Sequence, residues 1–118
     1  MIKAKLIDPF NQSVIPALIS KDYKDWKKLM NIKSPVDTVR LTDTIYVIVD
    51  DEGLHKDGNR YFKLKDYPQP LAGRAIIVNT DEEGELIDLG KYNTDDIEWR
   101  EESFYLEPKM EFIPLWKQ

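Results

Sequence analysis

Residues 46–78, YVIVDDEGLHKDGNRYFKLKDYPQPLAGRAIIV, decide how the rest of the chain is arranged. The apolar runs at 45–49 and 75–78 are rich in β-branched residues and read as strands. Between them, Asp50, Asp51 and Glu52 precede Gly53, and Asn59-Arg60-Tyr61-Phe62 follows Gly58. A loop at 67–73 then carries Tyr67 into Arg74 and the second apolar run. Polar groups held between rigid strands are where binding function concentrates.

Working outward, the pattern predicts an α+β domain. Ile2, Ala4 and Leu6 alternate with Lys3, Lys5 and Ile7, which predicts a strand ended by Asp8-Pro9. Residues 14–19 form a second strand that pairs back on the first, and Pro16 demotes it to an edge or a bulge. A helix over about 20–31 follows, with Ser20 as N-cap and Asp22 favouring its N-terminal dipole. Ile19, Tyr23, Trp26 and Met30 form its apolar stripe, and Lys21 and Asp25 an i,i+4 pair. Strands are expected at 37–41 and 44–49 around a Thr42-Asp43 turn, then at 60–64 and 74–79. Residues 81–84 make a hairpin turn that returns 85–89. Thr94 caps a short helix to Arg100, and an extended tail broken at Pro108 finishes the chain. The reading is a single domain over 1–118, with a core at 1–90 and a C-terminal extension at 91–118. A mainly antiparallel sheet carries one packed amphipathic helix.

Composition bounds the function. The 118 residues include 22 acidic and 17 basic side chains, for a formal charge of −5. That balance argues against a DNA or RNA polymer as partner, since such binding needs a basic footprint. No apolar run reaches the length of a membrane span, and MIKAKLIDPF lacks a signal-peptide apolar region. The expectation is a cytoplasmic protein without a membrane partner. Cysteine is absent, which removes disulfides and thiolate zinc sites.

Several chemistries lack their residues. Neither a P-loop nor a GxGxxG fingerprint occurs, so no cofactor is expected. The one histidine, His55, reads as an exposed loop residue, and no G-x-S-x-G elbow accompanies it. Residues 79–84 resemble the start of an EF-hand loop, but its twelfth position is Gly90 instead of glutamate. Asp50, Asp51 and Glu52 suit a hard cation by type, yet strand neighbours point to opposite faces. No metal and no catalytic residue is expected.

Polar and aromatic residues together are more informative. Arg40, Arg60 and Arg74 are three of the four arginines, and a guanidinium both forks onto phosphate and stacks on a base. Tyr61, Phe62 and Tyr67 offer stacking surfaces, while Asn59, Asp50 and Asp51 offer donors and acceptors to a base edge. The same inventory serves any half-exposed sheet, so composition alone leaves both readings open.

The ordered segments IDPF, DYKDWKKLM, DTVRL, VDDEGL, NRYF, YPQPLAGRAIIV and TDEEGE resemble a small family of uncharacterised bacteriophage and mobile-element proteins. The resemblance spans roughly residues 1–90. It implies a counter-defence role, and within that role a sponge that sequesters a cyclic di- or oligonucleotide immune signal without cleaving it. Sponges of this kind assemble as homo-oligomers, because a small domain cannot enclose a dinucleotide. The ligand-binding residues expected are Asn59, Arg60, Tyr61, Tyr67, Arg74, Asp50 and Asp51. The alternative is an inhibitor or adaptor that binds a host protein through its acidic, aromatic C-terminal region, with Trp99, Phe104, Tyr105 and Trp116 as anchors.

Overall fold

The computed structural model describes residues 1–101. Its strands are β1 (Ile2–Asp8), β2 (Ser13–Ile19), β3 (Val36–Arg40), β4 (Ile45–Asp50), β5 (Tyr61–Lys63), β6 (Leu71–Ala72), β7 (Ala75–Thr80), β8 (Leu86–Ile87) and β9 (Glu98–Arg100). One helix, α1 (Tyr23–Met30), and a 3-10 turn at Gly53–His55 complete it. A six-stranded sheet runs β2-β1-β7-β4-β3, with β8 paired to β7, and a three-stranded sheet runs β6-β5-β9. All pairings are antiparallel, so the fold is α+β as the sequence indicates.

The large sheet is covered on both faces. On one, Ala4, Leu6, Ile48, Ile76 and Val78 pack with Ile19 and with Met30, Trp26 and Leu29 of α1. On the other, Ile7, Val47, Val49, Ala75 and Ile77 pack with Phe62 and Leu71 of the small sheet and with Leu64 just after β5. Residues 75–78 are therefore apolar at every position, because a two-sided strand cannot alternate. Phe62 and Ile77 are fully buried, and each such side chain stabilises by roughly 1.5–3 kcal/mol. The outermost strand β2 carries Pro16 opposite Lys5, where a missing N–H costs no ladder bond on its open side.

Three local expectations change. The helix starts at Tyr23 and its N-cap is Asp22, whose Oδ1 accepts from the Lys24 amide at 2.9 Å. Ser20 instead accepts from the Asp22 amide and donates to Asp25, which fixes the approach to the cap. The helix ends at Asn31, in the left-handed region at φ 58°. Lys21 pairs with Glu85 across 2.9 Å rather than with Asp25, and both partners are too exposed for the bridge to contribute much. Residues 98–100 form strand β9 in place of the C-terminal helix, with Phe62 opposite Trp99. A seven-residue helix is marginal in water, whereas the free edge of β5 offers a ladder and a core for Ile97 and Trp99. The expected extended tail beyond 101 lies outside the described residues.

Candidate functional site

The site forms where three strands of the large sheet end together. Ile7 pairs with Ala75 and Ile48 with Ile76. Continuing those registers sets Asp8, at the end of β1, and Asp50, at the end of β4, on either side of Arg74, just before β7. By the two-residue period all three share the face that carries Leu6, Ile48, Ile76 and α1. Beyond the C-terminal end of α1, this row borders a cavity of about 270 Å³, lined by Phe10, Met30, Ile32, Asp50, Lys56 and Arg74 among others.

Asp50 anchors one wall. It is buried, and Ser34 Oγ donates to its Oδ1 at 2.5 Å, the Glu52 amide donates to the same oxygen at 3.0 Å, and Lys56 Nζ donates to Oδ2. Lys56 also donates to Ser34 Oγ at 2.8 Å, closing a three-membered ring of partners. Burial pushes the Asp50 carboxyl up, but the bonds from Lys56, Ser34 and the Glu52 amide outweigh it and hold it below the usual carboxylate range. The chain reaches Lys56 through the 3-10 turn, which must pass close to β6. A Cβ on Gly53 would stand 3.0 Å from the Ala72 carbonyl oxygen, so a side chain there would force the turn away.

Arg74 forms the other wall. Its Nε lies 3.4 Å from Asp8 Oδ2, and its guanidinium carbon sits 4.7 Å above the centre of the Phe10 ring. Asp8 also accepts from the Phe10 amide at 3.0 Å, the Asn11 amide at 3.3 Å and Asn11 Nδ2 at 2.8 Å, so the turn after β1 wraps round its carboxylate. Burial raises the Asp8 carboxyl, and the Asn11 side chain, the Arg74 charge and the two amides bring it net below its ordinary value. Among the described residues the two terminal nitrogens of Arg74 have no hydrogen-bond partner (the side chain is about a quarter exposed). A flat cation is thus clamped from behind and beneath, with its fork open.

Asn59 closes the rim by holding loops together. Its Nδ2 donates to the Gly53 carbonyl at 2.7 Å, and its Oδ1 accepts from the Arg60 amide at 3.0 Å. Gly73 lies against it at φ +79°, and a Cβ there would come within 3.3 Å of Asn59 Oδ1. Only glycine takes that backbone and that approach at low cost.

Of the residues expected from sequence, Asp50, Asn59 and Arg74 meet at this cavity. The other four do not line it. Tyr61 is buried in β5 opposite Ala72, and Tyr67 packs on the opposite face of the large sheet, against the Phe62 cluster. Arg60 is half-buried, and Asp51 is exposed with its amide donating to the Pro35 carbonyl at 2.9 Å. Arg40 caps the β3–β4 turn by pairing with Asp43. Sequence reasoning missed Asp8, Phe10, Lys56 and Ser34. The same parity that puts Leu6 and Ile76 on one face would have placed Asp8 beside Arg74.

Glu52, like Asp51, points to solvent, and among the described residues no three His, Cys, Asp or Glu side chains converge as a metal-ligand set. His55 is exposed. Ser34 and Lys56 are as close as a nucleophile and its base, but the serine donates to a carboxylate and the lysine donates to the serine. That direction is opposite to the one a lysine base requires. Of the aromatic anchors expected near the C-terminus, Trp99 packs against the core, and Phe104, Tyr105 and Trp116 lie outside the described residues.

A second cavity of the same volume, about 270 Å³, opens on the same face, beside Trp26. Thr38, Tyr46, Ile48, Val78, Thr80 and Leu86 line it, and no charged side chain does. Among the described residues no helix is long and apolar enough to cross a membrane. In comparisons with known proteins, no family model, curated protein or solved structure matches the chain.

Proposed function

We propose that this protein binds and sequesters a cyclic di- or oligonucleotide signal without cleaving it, as a bacteriophage-encoded counter-defence protein acting in the host cytoplasm. The observation that carries the binding part is Arg74. Its guanidinium is clamped by Asp8 and stacked on Phe10, and its two terminal nitrogens are unpartnered beside the cavity. Such a fork matches two phosphate oxygens, and pre-orientation lowers the entropy lost on binding. Phe10 is 43% exposed, which leaves aromatic surface at the rim for a base. The counter-defence part rests on the sequence resemblance alone.

Sequestration fits the chemistry of the wall better than turnover does. The Ser34 hydroxyl donates to Asp50, and Lys56 turns two of its three N–H groups on Asp50 and Ser34, so neither side chain is set as a nucleophile or its base. A cavity of about 270 Å³ lies at or below the roughly 300–1,000 Å³ of sites for drug-sized ligands, and so takes one nucleoside-sized unit. A cyclic dinucleotide then needs two such cavities, which is the reason to expect a homo-oligomer.

Isothermal titration with a panel of cyclic mono- and dinucleotides tests the reading. The wild-type chain is expected to bind at least one of them, and Arg74→Ala to lose that binding while keeping its fold. Equal affinity in both proteins would remove Arg74 from the site and the reading with it.

A further inference from the structure

Building on the nucleotide-binding reading, we infer that the anionic group this cavity takes is a singly charged phosphodiester, and that doubly charged phosphomonoesters and polyphosphates are disfavoured. Four charged side chains line the cavity: Arg74 and Lys56 are cationic, Asp50 and Asp57 anionic. Their formal charges cancel. Behind Arg74, Asp8 adds a further carboxylate at 3.4 Å from its Nε. The surroundings therefore carry no surplus of positive charge, unlike the multiple cations that cradle di- and triphosphates.

The donors are limited in the same way. Lys56 directs two of its three N–H groups to Asp50 and Ser34. The free fork on Arg74 offers two parallel donors, and a phosphodiester presents two non-bridging oxygens to meet them. A diester also brings a single negative charge to that fork, the smallest anionic load of any nucleotide phosphate. A monoester carries about two negative charges at neutral pH and a third terminal oxygen. The second charge would face a lining that already holds two carboxylates, of which Asp57 is exposed at the rim and free of the ring around Lys56. Cyclic nucleotides contain only diester phosphates, so charge alone separates them from the abundant cellular mono-, di- and triphosphates.

The test compares matched pairs that differ in the phosphate. Adenosine 3′,5′-cyclic monophosphate is titrated against adenosine 5′-monophosphate, and the guanosine, cytidine and uridine pairs likewise, with cyclic dinucleotides alongside. The full chain is used at pH 7.5 and physiological salt. For the base that binds best, the diester is expected to bind about tenfold or more tightly than the monoester, the scale of one uncompensated charge at a partly exposed site. Asp57→Asn removes a rim carboxylate and is expected to narrow the gap by strengthening the monoester several-fold. A wild-type preference for the monoester, or equal affinity, would overturn the inference and leave nucleotide binding standing. Failure of every mononucleotide and cyclic dinucleotide to bind would overturn both.

Discussion

The two cavities on the α1 face have the same volume, about 270 Å³, and opposite chemistry. One is bordered by Arg74, with Asp8 behind it, and by Asp50 and Lys56; the other is walled by Trp26, Tyr46, Ile48 and Val78 without a charge. They differ because of where they sit along the strands. The uncharged one lies over β4 and β7 where both strands are paired, so side chains pointing to this face must satisfy the core. The charged one lies where β1 and β4 end and β7 begins, and there the chain can turn polar groups inward because adjacent turns supply amides to meet them. Antiparallel pairing brings those three termini to one end of the sheet, which makes the strand-end row available for recognition at little cost to the core.

Mutation should separate the two cavities. The largest contrast is in binding. Arg74→Ala is expected to weaken the bound nucleotide by about 100-fold, as loss of a charged bidentate contact does, while costing about 1 kcal/mol of stability. Tyr46→Phe, in the uncharged cavity, should leave affinity unchanged in the same titration. Equal losses in both would mean that the ligand does not distinguish the cavities.

Stability supplies the next contrast. Asp50→Ala leaves the Lys56 ammonium without its carboxylate, and urea unfolding should register a loss of about 2–3 kcal/mol. That figure is below the usual cost of breaking a buried pair because the Lys56 side chain is 39% exposed. Gly73→Ala places a Cβ against Asn59 on a left-handed backbone, and is expected to cost about 1–2 kcal/mol in the same assay. Trp26→Phe removes the indole bond to the Ser20 carbonyl, 2.7 Å long, for about 1 kcal/mol and no change in nucleotide affinity.

Acid should act on the charged cavity first. Asp8 and Asp50 have folded-state values below their ordinary 3.8, so the folded protein binds fewer protons than the unfolded chain. Their contribution is complete above about pH 5 and is lost as pH falls through and below 3.8. Thermal melts from pH 6 to pH 3 are expected to show Tm falling more steeply in the wild type than in Asp50→Asn. Parallel curves would mean that Asp50 gains nothing from its ionised form.

Much of this fold is legible in residue type. The β-branched runs at 45–49 and 75–78, the Pro16 edge and the 81–84 turn each carry a local signal that survives in three dimensions. The start of α1 is less legible, because Ser20 and Asp22 are both good caps and only the turn between them decides. Residues 94–100 mislead: acids after Thr94 resemble a helix start, and the competing partner, the edge of β5, is more than thirty residues away. The site divides along the same line. Asp50, Asn59 and Arg74 stand out as polar residues flanking apolar runs, whereas Lys56 and Phe10 gain their roles only from contacts made across the fold. Tyr61 and Tyr67 look like stacking platforms in the sequence, but the small sheet that covers the far face takes both into packing.

The most direct test of recognition at the strand-end cavity is to incubate the full chain with a panel of cyclic nucleotides, remove the excess, release by heat what is retained, and identify it by mass spectrometry. Arg74→Ala is carried through in parallel. One intact cyclic nucleotide is expected from the wild type and none from the variant. A linear, cleaved product would make the protein an enzyme. Nothing retained by the wild type, or equal retention by the variant, would contradict recognition at this cavity.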